Sequence, residues 1–266
     1  MKITVVTVCY NAGDIIRATI ESVLSQQRDL FEYIIIDGSS TDATMNIVNE
    51  YRDAIDIIVS EPDKGIYDAM NKGIMMAHGD YINFMNAGDY FVNNHVLADI
   101  AESIHEKSTD VVLGNVVYLI DGEYYEVEAR PFYSDSSTKH GMGFCHQCCF
   151  VKTDMAKRFP FDLKYRLAAD YNMIMNISRN HGTFNHVNMP VAYYDMNGVS
   201  EHLRLQHEAE VFAIDRPSSP ITNYVEVRIR AAVRFVKKYM KFVIQKVAPN
   251  VIEKKRAADN KKKIFI

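Results

Sequence analysis

Ile3 to Val8 (ITVVTV) is an unbroken run of apolar and β-branched residues, and Asn11 and Gly13 end it as turn formers. Ile16, Ile20, Val23 and Leu24 then fall at i, i+4, i+7 and i+8, the spacing of one helix face. The pattern predicts strand, turn, helix. It recurs with Tyr33 to Ile36 as strand, the polar stretch Asp37 to Thr41 as turn, Asp42 as N-cap, and Met45, Val48 and Tyr51 on a second helix. A third unit places a strand over Ile55 to Ser60, a turn over Pro62 to Gly65, and a helical stripe through Ile66, Met70, Ile74 and Ala77. Tyr81 to Met85, interrupted only by Asn83, is the fourth strand.

Strands apolar on both faces, alternating with helices, predict an α/β fold: a Rossmann-like, mostly parallel sheet with helices on both faces. Ligands of such sheets bind beyond the carboxyl ends of the strands. Polar groups collect at those ends: Tyr10 and Asn11, Asp37 to Asp42, Asp63 to Asp68, and Asn86 to Asp89. Four strand ends therefore face one crevice.

After a helix over Val96 to Lys107 the grammar changes. Val111 to Leu119 and Tyr124 to Val127 flank Asp121-Gly122, the signal of a hairpin. An irregular stretch from Arg130 to Gln147 precedes a short strand (Cys148 to Val151) and a helix that begins near Asp170, with Tyr171, Ile174 and Ile177 on one face. The strand HVNMPVAYYD and the glycine-containing loop NGVSEH follow. The expected organisation is a domain over residues 1–215, with halves 1–92 and 93–215, and a basic, amphipathic helical tail over 216–266.

Composition narrows the class. A chain of 266 residues that is 48% hydrophobic can bury a substantial core. No run of eighteen apolar residues occurs, and Met1-Lys2 leads directly into the first strand, so neither a membrane span nor a signal peptide is expected and the chain is placed in the cytoplasm. Cys9, Cys145, Cys148 and Cys149 lack paired spacing, which suits a reducing compartment. Cys145 and Cys148 could be half a zinc site or a redox pair, but no second CxxC exists and Cys148 leads into a strand, where a redox pair would open a helix.

Charge is segregated. Net charge is −4, yet residues 228 to 263 hold 13 Lys and Arg against Glu253 and Asp259, so the remainder is strongly acidic. Val225, Ile229, Ala232, Val233, Val236, Met240, Val243 and Ile244 recur there at helical spacing among Arg and Lys. Such a helix can lie on an anionic membrane or pack on the domain with its basic face solvated; nucleic acid is not the expected partner.

Two carboxylates draw attention as chemistry. Asp89 follows a glycine at a strand end, where it could hold Mg²⁺ or Mn²⁺ with substrate phosphates completing the shell, or could satisfy local turn amides. Asp37, at the end of the second strand, could accept from a nucleobase or a ribose hydroxyl. No G-x-G-x-x-G and no Walker-type loop follows the first strand, which argues against a dinucleotide cofactor or a phosphate-cradling loop.

The successive motifs TVVTVCYNAGDIIRATIESVLSQ, IIIDGSSTDAT, SEPDKGIYDAMNKGIMMAHGDYINFMNAGDYF and HQCCFVKTD…LAADYNMIM resemble those of the family 2 inverting glycosyltransferases, which have the GT-A nucleotide-sugar-binding fold. The resemblance runs from about residue 3 to 200 and is nearest to bacterial members that build surface polysaccharides. It implies a nucleotide-diphospho-sugar donor, UDP-linked, and a saccharide or lipid-linked saccharide acceptor. It implies that Thr7 and Tyr10 line the base pocket, that Asp37 contacts uracil or ribose, and that Asp68 and Asn71 face the donor. Gly88 would leave room for the diphosphate, and Asp89 would be the surviving metal ligand for Mn²⁺ or Mg²⁺. Asn86 and Gly88 stand where many members carry acidic residues. Asp170 matches the general base, although without the resemblance it reads better as a cap of the helix it opens. His146 and Gln147 match a polar pair on the acceptor side, and NGVS with His202 resembles a loop closing over the donor, with Gly198 alone left of the usual glycine pair.

Two other functions compete. A sugar nucleotidyltransferase shares the nucleotide-binding layout but needs a basic, glycine-rich loop that VTVCYNAGD lacks. A non-catalytic nucleotide-sugar-binding subunit is the other alternative, left open by the thinned NAGD motif.

Overall fold

The computed structural model of the chain describes residues 1–120, 123–129, 143–194, 203–215 and 228–229. The chain opens with β1 (Ile3–Cys9), α1 (Ile16–Leu24), β2 (Phe31–Asp37), α2 (Thr44–Glu50), β3 (Ile57–Ser60), α3 (Ile66–Met76) and β4 (Tyr81–Phe84). Both β1 and β2 are buried at every position, as strands covered on two faces must be. β1 pairs in parallel with β2 and β4, and β2 with β3.

Side chains alternate between faces along each strand, so the two sides of the sheet build separate cores. Ile3 and Val5 of β1, with Tyr33 and Ile35 of β2, pack under Ile16, Ile20 and Val23 of α1 and under α4 (Val96–Glu106). Val6 and Val8, with Ile34 and Ile36, pack against Met70 and Ile74 of α3 and against Ile174 and Ile177 of α6 (Ala169–Arg179). Each fully buried aliphatic side chain contributes roughly 1.5–3 kcal/mol, which is what holds these helices to the sheet. Ile66 departs from the expected α3 stripe and is exposed, at the first position of the helix.

The second half changes strand direction. β5 (Tyr90–Phe91), β6 (Val111–Ile120), β7 (Glu123–Val127), β8 (Cys149–Lys152) and β9 (Phe184–Tyr194) extend the sheet to the order β3-β2-β1-β4-β8-β6-β9-β5, with β7 pairing on β6. β8 runs antiparallel to both β4 and β6, while β6 and β9 are parallel. The mostly parallel expectation thus describes the first four strands, and beyond β4 the sheet is mixed. The β6–β7 hairpin forms as expected, with Tyr118 opposite Tyr125. The two-residue β5 and the short α5 (Thr153–Arg158) carry too little periodicity to be expected, and Cys148 lies in a 3-10 turn (His146–Cys148) just before β8.

α7 (Arg204–Asp215) packs on α6, and Glu210 accepts the backbone N–H groups of Arg166, Leu167 and Ala168. That carboxylate fixes the entry into α6. No helix among the described residues is long and apolar enough to cross a membrane. The Asp121-Gly122 turn, residues 130–142, Gly198 and His202 of the NGVSEH loop, and the basic tail apart from residues 228–229 lie outside the described residues.

Candidate active site

The first three strand ends are tied to one another by short polar contacts. Asn11, at φ 48°, donates its N–H to the Ser40 hydroxyl and accepts from Thr41 N–H. Ala12 N–H donates to Thr44 Oγ1, and Gly13 N–H to Asp42. Asp42 also accepts from Thr44 N–H, so it binds two loops together one residue before Ala43, the actual N-cap of α2. The hydrogen bonds from Thr44 and Gly13 hold its carboxyl below the usual range.

Asp37 is fully buried at the last position of β2, inside the strand and not in the turn that follows it. Its carboxylate accepts from Ser40 N–H at 3.0 Å and from the Ser60 hydroxyl at 2.6 Å. Beside it, a Cβ on Gly38 would come within 2.5 Å of Asp63 and 3.4 Å of the Tyr10 ring. The glycine therefore allows these two residues to close on the end of β2. Tyr10, the residue after β1, is 64% exposed. Asp68, in the first turn of α3, accepts from Lys64 N–H.

Two expected donor-site residues are turned elsewhere. Thr7 shares the inward face of β1 with Ile3 and Val5; it is fully buried, donates to Met85 O at 2.8 Å and meets Tyr33 OH at 3.0 Å. It holds the end of β4 from within the core. Asn71 makes a two-way amide pair with the backbone of Phe161, accepting from N–H and donating to O, each at 2.9 Å, and so staples α3 to the segment before α6.

The end of β4 bends sharply. Gly88 has φ 101°, a conformation that side-chain-bearing residues adopt only with strain, and its N–H donates to Thr19 Oγ1. The same hydroxyl donates to Asp89 O, so α1 fixes the loop on both sides of that peptide. Asp89 is 5% exposed, and Gln147 Nε2 donates to its Oδ2 at 2.7 Å. The buried Oδ1 of Asn86 has no hydrogen-bond partner among the described residues. Among the described residues no group of three His, Cys, Asp or Glu side chains can hold a metal. One carboxylate suits a hard divalent cation whose shell is completed by phosphate oxygens and water, so the residues present fit Mg²⁺ or Mn²⁺ bound together with a diphosphate.

Asp170 lies in the first turn of α6, 6% exposed, with Ala168 as the N-cap of that helix, so the capping role falls elsewhere. Its Oδ1 accepts from Tyr67 OH at 3.1 Å and from Tyr171 N–H at 2.8 Å, and its Oδ2 lies 3.2 Å from His146 Nδ1. Burial pushes the carboxyl up, but the hydrogen bond and charge of His146, the Tyr171 amide and the nearby His207 outweigh it, and the group is held below the usual carboxylate range. Burial, and after it the Asp170 charge, pushes the Tyr67 hydroxyl well up, so it remains a donor. His146 Nε2 lies 3.1 Å from Asn86 Nδ2.

The cysteines are free and buried. Cys145 donates to Gln147 Oε1 at 2.8 Å, and burial pushes its thiol well up and keeps it neutral. These contacts give the Cys145–Cys148 stretch a packing role. Tyr67, Ser60 and Glu210 hold this site yet carry no sequence signal beyond their position, since each acts on a residue more than twenty positions away.

Residues 4–159 match the family model described as Glycosyl transferase family 2. A PGL/p-HBAD biosynthesis glycosyltransferase of Mycobacterium bovis is 29% identical over 171 residues, a match spanning 61% of this chain and 64% of that relative. The chain thus spans less than two thirds of such a relative's length. A UDP-Glc:alpha-D-GlcNAc-diphosphoundecaprenol beta-1,3-glucosyltransferase of Escherichia coli is 30% identical over 203 residues, covering 74% of this chain and 78% of the relative. Among solved structures, residues 1–349 of TarS from S. aureus in complex with UDP superpose with a TM-score of 0.61 at 21% identity, covering 81% of this chain and 64% of that one. A mannosyltransferase from Pyrobaculum calidifontis, in complex with GDP-Man and Mn²⁺, gives 0.65 at 16%, covering 93% and 81%. At these identities the likeness is one of fold, and it agrees with the GT-A architecture expected from the motifs.

Proposed function

The chain belongs to glycosyl transferase family 2, and from that premise we propose that it moves a hexosyl or N-acetylhexosaminyl group from a UDP-sugar to a saccharide or lipid-linked saccharide, with inversion. The observation that carries this reading is that two buried carboxylates, Asp170 and Asp89, are held by adjacent residues of one turn beside the strand ends. Asp170 is the general base. Kept ionised by its neighbours, it takes the proton of the acceptor hydroxyl while that oxygen attacks the anomeric carbon and the bond to the diphosphate oxygen breaks. Asp89 would hold the divalent cation, which would supply positive charge to offset that of the leaving diphosphate. Tyr10 offers the uracil a stacking face, Asp37 with Ser40 and Ser60 closes the ribose side, and Asp68 stands at the donor rim.

The UDP-linked donor and the lipid-linked acceptor are supported by the names of the Escherichia coli relative and the UDP complex of the fold neighbour. The mycobacterial relative, named for PGL/p-HBAD biosynthesis, supports a role in bacterial surface glycans. A catalytic unit over 1–215 and peripheral contact of 216–266 with the inner membrane face belong to the same reading, supported by the positive charge concentrated after residue 227.

Calorimetric titration of UDP, GDP and TDP, with Mn²⁺ and then with chelator, tests the donor site. UDP binding that needs the metal is expected, and no binding by any nucleotide in either condition would overturn the reading. Donor identity then follows from UDP release across a panel of UDP-sugars, with a GlcNAc-diphospholipid as acceptor.

A further inference from the structure

His146 and Gln147 are consecutive, and each engages a different carboxylate: His146 Nδ1 lies against Asp170 Oδ2, and Gln147 Nε2 donates to Asp89 Oδ2. The 3-10 turn that carries them is seated by Asn83 of β4, whose amide donates to the carbonyls of Gln147 and Cys149 at 2.9 Å each. Gln147 is oriented at its other end by the Cys145 thiol. His146 is oriented by Asn86, three residues before Asp89. We propose that this turn is a clamp of positioning residues that fixes the base and the cation site relative to each other, with His146 aiming Asp170 and Gln147 aiming Asp89. The assignment rests on the base and cation roles given above and replaces acceptor contact as the role of the pair.

The hydrogen-bond inventory specifies how His146 does this. An Asn86 amide that donates to Nε2 requires a neutral ring with its proton on Nδ1, facing Asp170. With that tautomer Nδ1 keeps its proton and directs it at Asp170 Oδ2. Asn86 therefore orients the ring from the Nε2 side, and the Nδ1–H to Asp170 contact is the positioning element. Oδ1 of Asp170 is fixed independently by Tyr67 and Tyr171, so the turn sets the remaining degree of freedom, rotation of the carboxylate about its own axis.

The isosteres of histidine separate its two nitrogens, because an asparagine amide nitrogen overlays Nδ1 and a glutamine one overlays Nε2. With UDP release from the reactive UDP-sugar as the rate, His146→Gln should lower kcat by roughly 10²-fold, the scale of a misaligned general base, with UDP affinity in Mn²⁺ unchanged. His146→Asn should recover most of that loss. Gln147→Leu should do the opposite, weakening Mn²⁺-dependent UDP binding while leaving kcat at saturating donor less affected. ¹⁵N imidazole spectra of the free protein should show His146 protonated on Nδ1, with signals that move in Asp170→Asn. A ring protonated only on Nε2, equal behaviour of the Asn and Gln variants, or parallel losses in kcat and affinity for both positions would overturn the clamp. If Asp170→Asn is inactive while His146→Gln keeps full kcat, the clamp fails and the base assignment stands. Full turnover in Asp170→Asn would instead remove the base assignment and the clamp with it.

Discussion

Tyr67 on α3 donates its buried hydroxyl to Asp170 on α6 at 3.1 Å, joining residues 103 positions apart across the face of the sheet. This contact fixes one oxygen of the carboxylate while Tyr67 itself is held in the core against Phe161, their ring centroids 5.2 Å apart. Asp170→Asn should lower transfer by about 10²- to 10⁴-fold, the worth of a general base, while UDP affinity stays within experimental error. Steady-state rates and calorimetry on the same preparation check both halves.

The pH profile follows from the groups around that carboxylate. Tyr67 and His146 contact it, the Cys149 thiol and His207 interact with it through charge, and His146, the Tyr171 amide and His207 outweigh burial to hold it low. Since kcat/KM reports the ionisation of the free enzyme's base, no acid limb belonging to Asp170 should occur above about pH 4, the ordinary aspartate value. A limb near pH 6 that disappears in Asp170→Asn would contradict this.

Asp89 is the one carboxylate of its loop, so the cation is expected to bind weakly without the nucleotide. Asp89→Ala should weaken UDP binding in Mn²⁺ by about tenfold or more, a loss of roughly 1.4 kcal/mol, and should bring it close to the chelator-treated wild type. Titrations with and without chelator decide it. Equal affinity of variant and wild type in Mn²⁺ would place the cation elsewhere.

Gly88 is required by the backbone. At φ 101° any side chain is strained, and a Cβ would sit 3.2 Å from Ile15 Cδ1. Gly88→Ala should cost about 1–3 kcal/mol of stability and loosen the Asp89 loop, read as a lower Tm and weaker UDP binding.

At the opposite end of the strands, Glu32 accepts from the Thr4 hydroxyl, from His78 N–H and from the His78 ring. Burial pushes this carboxyl up, but those hydrogen bonds and the ring's charge outweigh it and leave the carboxyl below its usual value. A depressed carboxyl contributes stability above its unfolded pKa and loses it as pH falls through the folded one. Glu32→Gln should therefore destabilise the protein by about 1–3 kcal/mol near neutral pH and flatten the acid side of the stability profile, measured by denaturant unfolding.

Much of this architecture is legible in the order of residues. Apolar runs on β1 and β2 and the stripes of α1 and α3 encode local conformation directly, because helix and strand periodicities leave their mark within a dozen positions. The same patterns locate the crevice, since each strand's end is where its apolar run stops, and motif likeness singles out Asp89 and Asp170. What the sequence could not decide is where side chains point once remote elements meet. Thr7 turns into the core because it shares a face with Val5, and Asn71 is taken by the Phe161 backbone. The His146–Gln147 turn engages Asp170 and Asp89, 24 and 58 positions away, only because β8 lies antiparallel to β4 and brings the turn to that strand's end. Strand direction in the second half depends on packing between distant segments, and no periodicity within a segment records it.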